Sequence, residues 1–472
     1  MKHSHWPLTI VGTITSFIQL ALPLVLVRIF PIATVGLYKT FFLYLSLLPM
    51  LSLSAGFVHG VYFWNGQPGR GPSLVAQAWT VLSIISVVLF VLGLLANTGL
   101  TYMLGGTQLN AYCFIVSGAL TLGSSFCEEL WIAEQKVGQV AIFRCGNELL
   151  RAGIILTVAW YTRAIEYVFL AFAATSILRS CLAQVLGIYG GLRPMFSRMT
   201  LTTVFRYAAP VSAAGFFAAL SGSLDQILLS RLLSSSDFAV FAMGCLALPP
   251  IFALEQSVNQ VLAMKLAGTI VRGDAAAGAE AFRQAVVEIA RLVIPAFLGL
   301  LTFAEPIVLI LFTDHYLGSA AVLRLYACTY LLMMIPYDGG PKASGAGGWA
   351  LRTFFVKTLV AVALVALLTK PFGIYGAMSG VLASGIYLRG AGLRFNYRFF
   401  GWSLAEQIPF RQLVPLALCA LILSLASIVL RCLFTDSRMW FCICGGLFFV
   451  VYSVLFLLPE RFKCLSFYGK RS

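Results

Sequence analysis

The sequence predicts an all-α polytopic membrane protein, and three observations carry that reading. Of its 472 residues, 60% are hydrophobic and 10% are charged, against roughly 45–50% and about 25% in soluble domains. Its apolar residues fall into fourteen windows long enough to cross a hydrocarbon core, which takes about 20 residues per helix. Between the windows no polar segment is long enough for a soluble domain; the longest, 190–206 and 268–283, are each shorter than twenty residues. So little charge cannot coat a soluble particle of this size, which excludes a cytosolic enzyme, a secreted disulfide scaffold and a disordered chain.

The windows follow in order. The first, 7–30, is too long for the apolar region of a cleaved signal and lacks a small-residue cleavage site, so it reads as a spanning helix. After it come 36–62 and 74–97. Two windows, 109–133 and 138–160, are interrupted by Glu128, Glu129, Glu134 and Lys136. They are followed by 164–189, 204–231, 237–265, 283–313, 316–337, 349–369 and 372–396. The last two, 411–431 and 438–458, are almost uncharged between Val414 and Leu430 and between Trp440 and Leu458. Continuous apolarity over twenty residues excludes a transmembrane barrel, whose strands alternate over about ten residues.

The 32 basic against 17 acidic residues, net +15, do not mark a nucleic-acid protein, because no solvated basic face is visible. Most of the excess lies in alternate connections: Lys136, Arg144, Arg193, Arg198, Arg206, Lys265, Arg272, Arg283, Lys342, Arg352, Arg394, Arg398, Arg411 and the tail Arg461, Lys463, Lys470, Arg471. The opposite turns carry little beyond Arg163, Arg231, Lys370, Arg431 and Arg438. The positive-inside rule then places both termini in the cytoplasm.

The chain carries no visible cofactor chemistry. Its eleven cysteines lie mainly in apolar runs and form no C-x-x-C pair or Cys/His cluster, so they read as small buried hydrophobes and no metal is expected. The glycine-rich run 339–348 lacks both the spacing of a nucleotide-binding P-loop and a preceding strand, and reads as a flexible inner loop or hinge. No nucleotide hydrolysis, cofactor or catalytic residue is expected.

A repeat is present. Val27-Arg28-Ile29-Phe30 closes the first window and Gly36-Leu37-Tyr38 opens the second; at an offset of 203, Ser230-Arg231-Leu232-Leu233 closes the seventh and Ala239-Val240-Phe241 opens the eighth. An even number of helices separates the copies, so they run in one orientation, as in transporters built from parallel repeats. The expected organisation is an N-terminal lobe over 1–190 (helices 1–6), a linker over 191–203, a C-terminal lobe over 204–400 (helices 7–12), and a final pair with a basic tail over 401–472.

These same residues carry a family resemblance. Arg28-Ile29-Phe30, Gly36-Leu37-Tyr38 and Ala55-Gly56 are similar to the first helix hairpin of the polysaccharide flippases in the multidrug/oligosaccharidyl-lipid/polysaccharide exporter superfamily. Pro210, Asp225, Leu228-Leu229 and Arg231 resemble its seventh helix. Glu305-Pro306-Ile307-Val308-Leu309-Ile310-Leu311-Phe312 with Tyr316, Ala320 and Leu323, and Gly373-Ile374-Tyr375-Gly376-Ala377, continue the likeness over about residues 8–400. Ala239-Val240-Phe241 in place of Gly-x-Tyr and Thr313 in place of a glycine depart from it. The resemblance implies a bacterial inner-membrane flippase that moves undecaprenyl-diphosphate-linked repeat units of O-antigen or exopolysaccharide outward, alongside membrane lipids and other assembly proteins.

Ionisable groups at mid-bilayer cost about 2.5–3.5 kcal/mol even on insertion scales, so those inside windows are the candidate site. Arg151, Arg179, Arg291, Arg324, Lys357 and Arg389 lie within spans and Arg28 at a helix end, and these are the cationic candidates for an anionic head group. Asp225, Glu255 and His59 are candidates for ion coupling or charge pairing. Each also has a plainer reading as an internal pair or a snorkelling side chain. Arg144, Glu148 and Arg151 share one helical face, Glu288 and Arg291 are three apart, and Asp225 is in range of Arg28 or Arg231. Arg179, Arg324, Lys357 and Arg389 have no acid within a turn of their own helix. Arg forks fit diphosphate oxygens, while Gln19, Tyr44, Gln226, Gln256 and Asn259 suit sugars. The alternatives are a peptidoglycan-precursor flippase with the same chemistry, a cation-coupled drug exporter, which wants an acidic cavity, and a membrane polymerase or ligase, which usually has a large outer loop.

Overall fold

The computed structural model describes residues 6–51, 54–65, 70–134, 136–344, 346–434 and 436–457. Among them all regular structure is helical, and no strand is present. We number the principal helices α1 (Trp6–Ile29), α2 (Ile32–Leu51), α3 (Gly71–Leu95), α4 (Gln108–Ala133), α5 (Val137–Thr162), α6 (Ile165–Tyr189), α7 (Arg198–Leu232), α8 (Pro249–Arg272), α9 (Ala275–Leu311), α10 (Ser319–Met333), α11 (Gly347–Phe400), α12 (Phe410–Val429) and α13 (Ser437–Phe456). Among the described residues the apolar windows are mainly helical, although 237–265 is broken between Gly244 and Pro249 and 316–337 leaves its helix after Met333. Among the described residues, eight helical segments are long and apolar enough to cross a membrane, and the bent pair Ser235–Gly244 and α8 raises the number to nine. In the most apolar 18-residue stretch of Gly71–Leu95 only 22% of the residues are buried, and in that of Phe410–Leu433 28%, despite mean hydropathies of 2.5 and 2.7. Such apolar exteriors require lipid rather than water. The protein is a multi-pass membrane protein.

The chain divides into two compact units, residues 1–239 and 240–472. In the first, α4 packs along α6 and α3, α1 along α5, and α7 against α2, α3 and the short helix Ala55–His59. Its core is aromatic: Phe41 of α2 stacks on Phe169 of α6 at 4.1 Å and meets Phe114 of α4 edge-on at 5.5 Å. Offset and edge-to-face rings align the ring quadrupoles, so the three helices lock without a polar contact. Glycine sets the closest approaches. A Cβ at Gly36 would lie 1.9 Å from the Ser235 carbonyl oxygen, and one at Gly56 would lie 2.1 Å from that of Ala208. Gly56 N–H also donates to Ser212 Oγ at 2.8 Å.

In the second unit α9 is the central helix, packed on α8, α10 and α12. It bends at Phe303, whose dihedrals (φ −102°, ψ 18°) are non-helical three residues before Pro306; a proline cannot complete the backbone ladder of the turn before it. The Phe303 ring fills the bend against Trp440 of α13 at 4.9 Å. The Tyr330 hydroxyl donates to the Leu246 carbonyl at 2.5 Å and accepts from Leu248 N–H at 2.9 Å, satisfying the backbone where Ser235–Gly244 and α8 meet at 58°.

One expectation is sharpened here and one changes. Windows 349–369 and 372–396 form one segment, α11, that doubles back at Gly373 (φ 57°, ψ −138°), a conformation open to glycine. Its arms touch along their length: a Cβ at Gly376 would lie 2.0 Å from Leu368 O, and the rings of Trp349 and Phe395 lie 5.4 Å apart. The run 339–348, read as a flexible loop, opens with the helix Gly339–Ala343, whose Gly339, Gly340 and Pro341 are buried. Without side chains these glycines let the backbone approach Leu262 of α8 and Asn396 of α11.

The repeat survives in the helix ends. Helix α1 stops at Ile29 and α7 at Leu232, and the following helices start at Ile32 and Ser235, both pairs 203 residues apart.

Candidate functional site

Helices α4 and α5 are joined by a tight turn around residue 136, so they run antiparallel, and residues equally far from the turn lie at one height. Glu128 and Arg144 are each eight residues from it, about 12 Å at 1.5 Å per residue. The structure joins them: Arg144 Nε donates to Glu128 Oε2 at 2.6 Å, and Nη2 donates to Glu129 Oε1 at 3.2 Å. From α6, Arg179 donates to the other Glu128 oxygen, through Nε at 3.2 Å and through Nη2. The Glu128 side chain is 3% exposed, so one carboxylate ties three helices together. One turn further along α5, Arg151 pairs with Glu148.

These groups line a cavity of about 420 Å³ with Thr15, Gln19, Ser125 and Asn147. Three guanidiniums face three carboxylates in it, with hydroxyl and amide groups between. A second cavity of about 380 Å³ shares Gln19 and Arg151 and adds Lys39, Tyr38, Ser46 and Phe172. No acid lines this one, and the Arg151 guanidinium lies 5.2 Å from the Phe172 ring centre. The pair grades from a charge-balanced, hydrogen-bonding chamber to a cationic and aromatic one. Such a surface can hold a phosphate through the Arg forks and a sugar through amides and rings.

In the second unit Arg389 of α11 is the pivot. It donates to Glu255 of α8 at 3.0 Å and to the Ile335 carbonyl at 2.8 Å, and its guanidinium lies 4.6 Å from the Tyr337 ring centre. Nearby, Lys342 pairs with Asp338 at 2.5 Å. Arg324 of α10 donates to Glu305 of α9 at 2.8 Å.

The structure therefore brings together Arg151 with Arg179, and Arg389 with Glu255. Arg179, Arg324 and Arg389 lack an acid only along their own helices; a neighbouring helix supplies one in each case. That corrects the picture of uncompensated cations. Arg28 is exposed at the end of α1, while Arg291 and Lys357 are half-buried on α9 and α11, and none of the three lines the two cavities above. The side chains of Asp225 and His59 lie outside the described residues. Sequence reasoning passed over Glu128, Glu129 and Arg144 as interruptions or local pairs, although their placement about the turn at 136 was the signal that joins them.

Tyr44, read as a sugar-contacting candidate, instead receives a hydrogen bond from Arg231 Nε at 2.9 Å and lies 3.1 Å from Ser230 Oγ, at the end of α7.

Comparison with known proteins places this architecture in a class. The fold is that of the multidrug/oligosaccharidyl-lipid/polysaccharide exporter (MOP) superfamily. The lipid II flippase MurJ in an inward closed conformation superposes with a TM-score of 0.74 at 15% identity, covering 95% of this chain and 98% of its own. An inward-facing multidrug resistance MATE family transporter gives 0.61 at 15% identity, covering 82% and 94%. A MOP superfamily transporter from Pyrococcus furiosus gives 0.55 at 13% identity, covering 84% and 95%. No curated protein sequence matches the chain. A family model described as polysaccharide biosynthesis protein matches residues 70–321, and the chain belongs to that family. These three fold relatives are a flippase and two transporters.

Proposed function

We propose that the protein flips undecaprenyl-diphosphate-linked oligosaccharide repeat units outward across a bacterial inner membrane for surface polysaccharide assembly, with both termini cytoplasmic. The observation that carries the reading is the paired cavity in which Arg144, Arg151 and Arg179 converge among Gln19, Asn147 and Ser125. Family membership supports polysaccharide as the cargo class, and the exporter fold supports flipping. The diphosphate enters as an anion competing with Glu128 for two forks already held in place, so little is spent on ordering them. Alternating access then exposes the site in turn to the two sides. The sugars meet amides and rings, and the polyprenyl chain stays in lipid.

The test is translocation of a labelled polyprenyl-diphosphate oligosaccharide in proteoliposomes. Arg179→Glu, at normal protein level, is expected to reduce flipping at least tenfold; intact flipping in Arg144→Glu and Arg179→Glu alike sinks the reading.

A second reading is favoured by the MurJ superposition over 95% of the chain: a flippase for a lipid-linked peptidoglycan precursor. It uses the same diphosphate chemistry. Supplying each lipid-linked sugar in the same proteoliposomes separates the two.

A further inference from the structure

We propose that the open end of the α11 hairpin is a second anion site, one that holds a lipid-borne phosphate. Between the two arms of α11 lies an open groove of about 790 Å³ whose lining includes Trp349, Tyr387 and Phe395 with the exposed Arg352, Arg394 and Arg398. Arg394 and Arg398 are one turn apart on the returning arm, and Arg352 faces them from the outgoing arm. No acid lines the cavity, and among the described residues none of the three arginines pairs with a carboxylate. They differ in this from Arg144, Arg151, Arg179, Arg324 and Arg389, each of which has its glutamate.

Three guanidiniums around one chamber repel, and a multivalent oxyanion removes that repulsion while filling their planar forks. The aromatic walls make the chamber amphipathic: Trp349 lies 5.4 Å from Phe395, and Phe395 stacks on Phe399 at 5.5 Å. Depth favours a lipid head group. Arg352 is five residues inside Gly347 and Arg398 two residues inside Phe400, so the chamber lies about one to two turns from the end of a spanning hairpin, at head-group level. On the same arms Phe355 and Phe399 are half-exposed, as side chains meeting acyl chains are. Basic pockets between membrane helices bind anionic head groups in this manner. The chamber belongs wholly to the second unit and shares no residue with the Glu128 cavity, so it is independent of the proposed transport reading.

The test uses the purified full chain in neutral detergent, with bound lipid counted by native mass spectrometry and the unfolding midpoint read in parallel. The probes are phosphatidylglycerol, diacylglycerol, polyprenyl diphosphate and inorganic phosphate. Phosphatidylglycerol or polyprenyl diphosphate is expected to bind and raise the midpoint, and diacylglycerol to do neither. The double variant Arg394→Glu with Arg398→Glu should weaken phosphatidylglycerol binding at least tenfold and remove any polyprenyl diphosphate counted beyond the one held in the Glu128 cavity, and the double lysine variant should retain most of both. Loss confined to phosphatidylglycerol identifies a bilayer phospholipid as the occupant, and loss confined to polyprenyl diphosphate identifies the polyprenyl carrier. Equal lipid binding by the wild type and the glutamate variant overturns the proposal. So does an equal midpoint rise with inorganic phosphate, because the lipid would then add nothing. Should the double reversal alter the unliganded midpoint, Arg352→Gln read by lipid counting serves as the same test.

Discussion

Glu128 illustrates what a single buried charge can do in this protein. It is acceptor to two guanidiniums from two other helices, and removing one member of a buried ion pair leaves an uncompensated charge, typically costing about 3–5 kcal/mol. Glu128→Ala is therefore expected to destabilise the protein by about 3 kcal/mol, read as a lowered unfolding midpoint in detergent. Glu128→Gln keeps the shape and one of the two acceptor oxygens, turns an amide donor toward the other guanidinium, and withdraws the competing charge. It should hold the diphosphate substrate more tightly and release it more slowly, which equilibrium binding and flipping rate measured together would reveal. Arg389 is a second such residue. Its guanidinium satisfies Glu255, a backbone carbonyl and a ring at once, a pattern a lysine ammonium cannot reproduce. Arg389→Lys should lower the unfolding midpoint nearly as far as Arg389→Ala.

At the scale of the element, close backbone approach and bends carry the design. Gly36→Ala places a methyl group within 1.9 Å of the Ser235 carbonyl, so α2 and the segment after α7 must separate. Such overpacking typically costs about 1–3 kcal/mol, which thermal unfolding in detergent will register. Gly373→Ala forces an alanine into φ 57°, ψ −138° and should open the α11 hairpin, readable as a longer distance between spin labels on its two arms. A surface element gives a pH prediction. Ser403, ahead of the short helix Leu404–Gln407, donates its backbone N–H to Glu406 at 2.7 Å and its hydroxyl at 2.8 Å. These bonds hold the Glu406 carboxyl below its usual 4.5, the backbone bond contributing most. A lowered folded-state value means the cap stabilises above the unfolded carboxylate range and is lost as pH falls through the folded value. Once the intrinsic pH dependence of exchange is divided out, the protection of amides 404–408 should therefore fall as pH drops below about 4.5, and Glu406→Gln should abolish that fall.

At the scale of the whole molecule, the cargo chemistry meets the membrane potential. One charge crossing 100 mV is worth about 2.3 kcal/mol, so a diphosphate with about two negative charges gains roughly 4–5 kcal/mol on leaving an inside-negative compartment. Outward flipping in potassium-clamped proteoliposomes should accelerate as the inside is made more negative, without an added sodium or proton gradient. A rate indifferent to potential would assign the driving force elsewhere, to an ion coupled through a carboxylate such as Glu255.

Much of this was legible in the chain. Apolar windows of twenty residues can satisfy their backbone in lipid only as helices, so class, helix positions and the 203-residue repeat follow from local composition and spacing. The ions inside the spans were legible as costly residues, but their partners were not. Arg179 and Glu128 are 51 residues apart and Arg389 and Glu255 are 134 apart. Hydropathy has no term for which neighbouring helix turns an acid toward an arginine. The same holds for Arg352, Arg394 and Arg398, which in sequence are ordinary inner-loop cations and become one chamber only because α11 reverses at Gly373. Local composition is enough to make this a helical membrane protein with charges that need a reason. Tertiary packing decided which of those charges cancel and which are left facing a cavity, because pairing depends on distances between helices that no single helix encodes.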